Sequence, residues 1–187
     1  MLPRMVGPVV IALLASAPLT NVEERERPEL GVHGGIALAH GLVPGASFAF
    51  TGGLRVRLWR LSLGLEGLFF LPGEERRSAL CPLGRAGNCE ERISSVAFTG
   101  TVPACVHAGL FSACAIAAGG AAATRSDLWS PMFSAGARLA FDPHVSESVS
   151  IYLAAQVLGG IVRARFEGWE AAPLQLGLTV AVLHASS

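Results

Sequence analysis

The sequence predicts an all-β fold, a closed antiparallel up-and-down eight-stranded transmembrane β-barrel, and three observations predict it. The first is a two-residue beat. Segment 47–58 reads Ser-Phe-Ala-Phe-Thr-Gly-Gly-Leu-Arg-Val-Arg-Leu. Successive side chains on a strand point to opposite faces. Phe48, Phe50, Leu54, Val56 and Leu58 therefore share an apolar face, while Ser47, Thr51, Arg55 and Arg57 share the other. The second observation is compositional: 51% of residues are hydrophobic and only 15% charged, yet no run reaches the ~18 apolar residues of a spanning helix. The third is an alternation of short and long connections, the pattern of membrane barrels with short turns at one end and longer loops at the other.

The elements follow in order. A first strand over 30–40 sets Val32, Ile36 and Leu38 against His33, Gly35 and Ala37. The second is 46–58. The third, 61–70, sets Leu61, Leu63 and Leu65 against Ser62, Gly64 and Glu66. The fourth, 93–105, turns Val96, Phe98 and Val102 outward against Ser95, Thr99 and Thr101. The fifth, 111–123, is almost all alanine and glycine, so periodicity decides little there. The sixth, 131–141, sets Phe133, Leu139 and Phe141 against Ser134 and Arg138; the seventh, 148–161, sets Val149, Ile151, Leu153 and Val157 against Ser150, Tyr152 and Gln156. The last, 173–184, sets Leu174, Leu176, Leu178, Val180 and Val182 against Gln175, Gly177 and Thr179. Such runs suit the ~9–11 residues with which a tilted strand crosses a bilayer. Closure removes the free edges that hydrocarbon cannot satisfy. The first, third, fifth and seventh links are 41–45, 71–92, 124–130 and 162–172, and the others, 59–60, 106–110 and 142–147, are short.

The division of the chain reads as a signal-peptide-like start over 1–17, a polar linker over 18–28, the barrel over 29–184 and a tail over 185–187. Arg4, the apolar run from Met5 to Leu14 and Ala15-Ser16-Ala17 carry the export signal, against which stands Pro18 after the expected cut. A short buried helix or membrane anchor is the alternative. Net charge is zero and all 14 cations are arginine, so a clustered basic face for nucleic acid is missing. No cofactor is implied. Four cysteines in an exported chain suggest two disulfides. Cys81 and Cys89 bracket a charged loop. Cys105 and Cys114 bracket a hairpin whose Gly109-Leu110 centre suits a type II′ turn; counting outward makes them a non-hydrogen-bonded pair, close enough to bridge. The expected bonds are 81–89 and 105–114. Zinc binding lacks the Cys-x-x-Cys or His-pair spacing it needs.

Charge placement sharpens the reading. Within the spans only Arg55, Arg57, Glu66 and Arg138 are charged, all on the polar face. The lipid-facing set is Phe48, Phe50, Leu54, Val56, Leu58, Leu174, Leu176, Leu178 and Val180. Trp59 falls near one rim, Trp129 and Trp169 near the other, as an interfacial girdle would have them. An eight-stranded interior is just wide enough for side chains to fill, so Arg55, Arg57, Glu66, Arg138, Tyr152, Gln156 and Gln175 form the expected polar lumen. A turn at Trp59-Arg60 sets Arg57 opposite Ser62, Arg55 opposite Gly64 and Glu66 diagonal to Arg55. An Arg–Glu network of Arg55, Arg57, Glu66 and Arg138 is expected, as a satisfied polar core rather than a conduit.

By its alternating segments from Glu29 to His184, its signal-like start and the Cys105/Cys114 pair at a turn, the chain resembles the small eight-stranded outer-membrane β-barrel proteins of Gram-negative bacteria. The resemblance implies an outer-membrane location with both termini periplasmic. It departs from the family at its end, Val182-Leu183-His184-Ala185-Ser186-Ser187, where such barrels usually carry a terminal aromatic. Three functions follow as alternatives. The first is a structural or surface-interaction barrel in outer-membrane lipid, with loop 72–92 as its contact surface. The second is a soluble periplasmic calycin-like barrel binding an apolar ligand, with the apolar face inside. The third is a lipid-modifying rim enzyme using His40, Ser47 and Asp127. No catalytic motif supports an enzyme. The oligomeric state stays open, a monomer being the simpler expectation.

Overall fold

A computed structural model describes residues 28–43, 45–80, 88–124, 129–166 and 169–186, with backbone alone over 73–80 and 88–93. The start at 1–17 and nearly all of the linker lie outside these residues. Eight strands close into one antiparallel barrel: β1 Glu29–His40, β2 Ala46–Leu58, β3 Leu61–Leu80, β4 Asn88–Ala108, β5 Phe111–Thr124, β6 Trp129–Phe141, β7 Val149–Val162 and, after a small hairpin of β8 Arg165–Phe166 and β9 Trp169–Glu170, β10 Leu174–Ser186. Each strand pairs with its chain neighbours, and β1 closes the ring on β10 from Leu30↔Ser186 to His40↔Leu176.

The faces sort with burial. Phe48, Val56 and Leu176 are 61%, 42% and 50% exposed, whereas Arg138 is 2% exposed. Apolar side chains cover the outside because the narrow interior takes the polar ones; the calycin-like alternative needs the reverse and is corrected here. The barrel wall comes closest to itself at glycines. A Cβ on Gly120 would meet the Phe98 carbonyl oxygen and one on Gly136 the Val157 carbonyl oxygen, so only hydrogen fits at these inward bends.

Several boundaries differ from the sequence reading. The final strand continues through Ala185 to Ser186, because β1 supplies pairing partners there. The link at 106–110 shrinks to Gly109-Leu110, with Ala108 opposite Phe111. Gly109 sits at φ +62°, as the first central residue of a type II′ turn requires. The link at 162–172 contains the β8–β9 hairpin. The largest correction concerns 71–92, expected as a loop. Here β3 and β4 run 20 and 21 residues, and Gly73–Leu80 pairs with Asn88–Ser95. Pairing of β2 with β3 stops at Phe70, and that of β4 with β5 stops at Ser95. The extension therefore stands above the rim by eight residues, about 26 Å of strand. A register shift between Phe70 and Gly73 marks its base. Pro72, with no amide to donate, sits within it.

Candidate functional site in the lumen and at its rims

Inward positions of the strands stack into three layers. At the loop end the filling is apolar. Leu42, Val43, Leu68, Phe70, Met132 and Trp169 form one buried cluster with small alanines, and Trp169 stacks on Phe166 with ring centroids 5.7 Å apart. Trp169 is 7% exposed. The girdle reading of this residue is thus corrected: the β8–β9 hairpin folds its indole into the mouth. Trp129, 66% exposed, faces outward.

The middle layer is ionic. The Arg138 guanidinium on β6 lies 2.6 Å from Glu66 Oε1 on β3. It also donates to Tyr152 Oη at 3.2 Å and, through Nε and Nη2, to Gln156 Oε1 at 3.1 and 2.8 Å. Thr101 Oγ1 donates to the second Glu66 oxygen at 3.1 Å, and His33 Nε2 stands 3.7 Å from the first. Burying this pair is tolerable because both charged groups have their lone pairs and protons met. Sequence reasoning missed His33 and Thr101. Inward parity was the available signal, and Thr101 is the direct cross-strand partner of Glu66.

Two arginines leave the expected network. Arg55 is diagonal to Glu66 in register, but its Nη1 reaches Asp142 Oδ2 at 3.2 Å. Arg138 already saturates Glu66, and Asp142 otherwise has a buried charge without a cation. Arg57 stays at the rim, its Nε donating to the Trp59 carbonyl at 3.2 Å. Gln175 also stands apart from Arg138, accepting from Ser134 Oγ at 3.4 Å.

The turn-end layer holds Arg55–Asp142, a Ser62 Oγ to His107 Nε2 contact of 2.7 Å, and the Cys105–Cys114 disulfide. The disulfide joins direct register partners with Cα atoms 3.9 Å apart, as the turn geometry required. The 81–89 bond lies outside the described residues. A cavity of about 10 Å³, lined in part by His33, Arg55, Ser62, Glu66, Cys105 and Tyr152, separates the two lower layers. That is room for about one water molecule.

The rim-enzyme set does not assemble. Ser47 is buried inward and donates to the Leu71 carbonyl at 3.0 Å, whereas His40 is exposed on the opposite face of the wall. Asp127 lies outside the described residues. Among the described residues no three His, Cys, Asp or Glu gather as a metal site. Of the outward set, Phe50, Leu54, Leu58, Leu174, Leu178 and Val180 are all exposed, like Phe48, Val56 and Leu176.

At the β2–β3 turn, Trp59 adopts φ +54° and is exposed, and the Arg60 guanidinium lies 5.0 Å over its ring.

No family model matches the chain, and no curated protein matches it. Solved structures do. Neisserial surface protein A is 10% identical with a TM-score of 0.53, over 84% of this chain and 96% of that one. Ail, the attachment invasion locus protein of Yersinia pestis, is 13% identical at a TM-score of 0.46, over 86% and 99% of the two chains. A de novo designed transmembrane β-barrel gives 10% and 0.43, over 87% and 100%. The chain has the fold of the small eight-stranded outer-membrane β-barrels of Gram-negative bacteria.

Proposed function

We propose that this protein is a small outer-membrane β-barrel of a Gram-negative bacterium, with a structural or surface-interaction role exercised through its outer loops. One observation carries the reading: large apolar side chains, Phe48, Leu63, Leu139 and Leu178 among them, face outward along the strands, while Arg138 and Glu66 are sealed inside. A wall of that kind cannot be stable facing water, and faces acyl chains at no such cost. The two-residue turns lie at the end that holds the first and last strand ends, which supports periplasmic termini and external long loops, since such barrels keep short turns on the periplasmic side. The lumen is filled, which supports a scaffold rather than a channel. The hairpin of β3 and β4, carrying Glu74, Glu75, Arg76, Arg77, Glu90, Glu91 and Arg92, is the surface available to a partner, since binding residues sit disproportionately on segments held up by a rigid scaffold.

The test is membrane fractionation with detergent extraction, combined with heat-modifiable gel mobility and labelling of a cysteine placed at Ser78 in intact cells. A barrel that resists urea stripping, shifts on boiling and is labelled from outside supports the reading. Recovery in the aqueous periplasmic fraction overturns it.

A further inference from the structure

The outer wall is not uniformly ridged. Across β4, β5, β6, β7 and β10 an open groove of about 580 Å³ runs near the turn end, floored by Ala108, Ala113 and Ala155 and walled by Phe111, Leu139 and Leu178. Its size falls in the ~300–1,000 Å³ range of small-molecule sites. The groove adjoins the β2–β3 turn directly: the amide of His107, next to Ala108, donates to the Arg60 carbonyl at 2.7 Å.

That turn carries an unusual residue for its backbone. The sister turn places Gly109 at its positive-φ position, while this one places Trp59 there, against a cost of roughly 1–2 kcal/mol for an L residue. The indole is half exposed and supports Arg60 from below. Among the described residues neither Arg57 nor Arg60 has a carboxylate within ion-pair distance. Glu29 faces Arg57 in register on the side of β2 away from the groove, and Glu147 lies on the β6–β7 turn. An apolar trough thus has as its neighbour at the turn end an exposed aromatic and a guanidinium with no described carboxylate beside it.

We propose that this corner holds one anionic glycerophospholipid of the turn-side leaflet. Its phosphate meets Arg60, and one acyl chain lies along the alanine floor. The site rests on the outer-membrane reading.

The full-length barrel, reconstituted in nanodiscs of phosphatidylcholine with a minority of phosphatidylglycerol, is released and weighed by native mass spectrometry. The expected result is one phosphatidylglycerol retained about fivefold above its share of the bilayer, the upper limit for one exposed charge pair. Arg60→Gln removes that preference, and Ala113→Phe, which fills the floor, removes retention of either lipid. Arg163→Gln, a charge lost at the opposite rim, leaves retention unchanged. A folded, inserted barrel with no preference, or one whose preference survives Arg60→Gln, overturns the site alone. A chain that fails to enter the nanodiscs overturns the site and the outer-membrane reading together.

Discussion

Replacing Glu66 by alanine is the most demanding test of the filled lumen. The substitution removes the one carboxylate, among the described residues, that contacts Arg138, a guanidinium 2% exposed across the lumen. Gln156 and Tyr152 still accept from three of its N–H groups, so the loss is chiefly of the counter-charge. Breaking one side of a buried pair costs ~3–5 kcal/mol, and the remaining hydrogen bonds place this case near the lower limit. Against a typical total of ~5–15 kcal/mol, that is a large fraction. The assay is equilibrium urea unfolding in phospholipid vesicles, followed by heat-modifiable mobility, with equal slopes required of all variants. A cycle completes it. The double variant Glu66→Leu/Arg138→Met replaces the pair by apolar groups of similar volume, and is expected to recover most of the loss. An unfolding midpoint for Glu66→Ala that matches the wild type refutes the argument. So does a double variant no more stable than Glu66→Ala.

Other outcomes are equally specific. Val180→Arg, at mid-strand on the outer face, is expected to lose ~2–4 kcal/mol in vesicles, read from the same urea titration; a neutral result removes the lipid-facing assignment. Gly109→Ala meets no atom within 4 Å of its new Cβ, so its cost is the backbone strain of a positive φ alone, about 1 kcal/mol. Replacing Cys105 and Cys114 together by alanine opens a loop with a sequence separation of 9 and is expected to cost about 2–3 kcal/mol by loop-closure entropy, visible as a lower unfolding midpoint than the oxidised wild type. Trp169→Ala removes the largest side chain of the apolar plug and is expected to cost ~3–5 kcal/mol. In planar bilayers it should still not conduct, because Arg138 and Glu66 close the lumen beneath it. Stable channels from that variant would show that the ionic layer is no barrier.

The wall was legible because membrane strands repeat one rule, and the lumen was less so because it obeys none along the chain. Alternation located β1, β2 and β10 almost to the residue. Strand β5 lies where the pattern placed it, yet with alanine on both faces its composition could not say which face was inside. Glu74 to Arg77 read as a loop since charge has no place within a span; beyond the rim a strand needs no apolar face, and β3 simply continues. Contacts across the cylinder posed a different difficulty. Arg55 on β2 and Asp142, just past the end of β6, are 87 positions apart on segments that never pair, so neither register nor spacing connects them. Trp169 was misread because an aromatic near a strand end looks alike whether a short hairpin bends it outward or in.

The bond from Arg138 to Glu66 spans β6 and β3, which are separated on the ring by two other strands. A closed sheet of eight strands is a thin hoop, and squeezing by surrounding lipid tends to flatten it. Every wall-to-wall hydrogen bond survives such flattening, since neighbours stay neighbours. The guanidinium and its carboxylate do not, because their separation measures a chord across the cross-section. The pair therefore works as a tie-rod: the cross-section stays round, and with it the spacing at which the outer loops are presented.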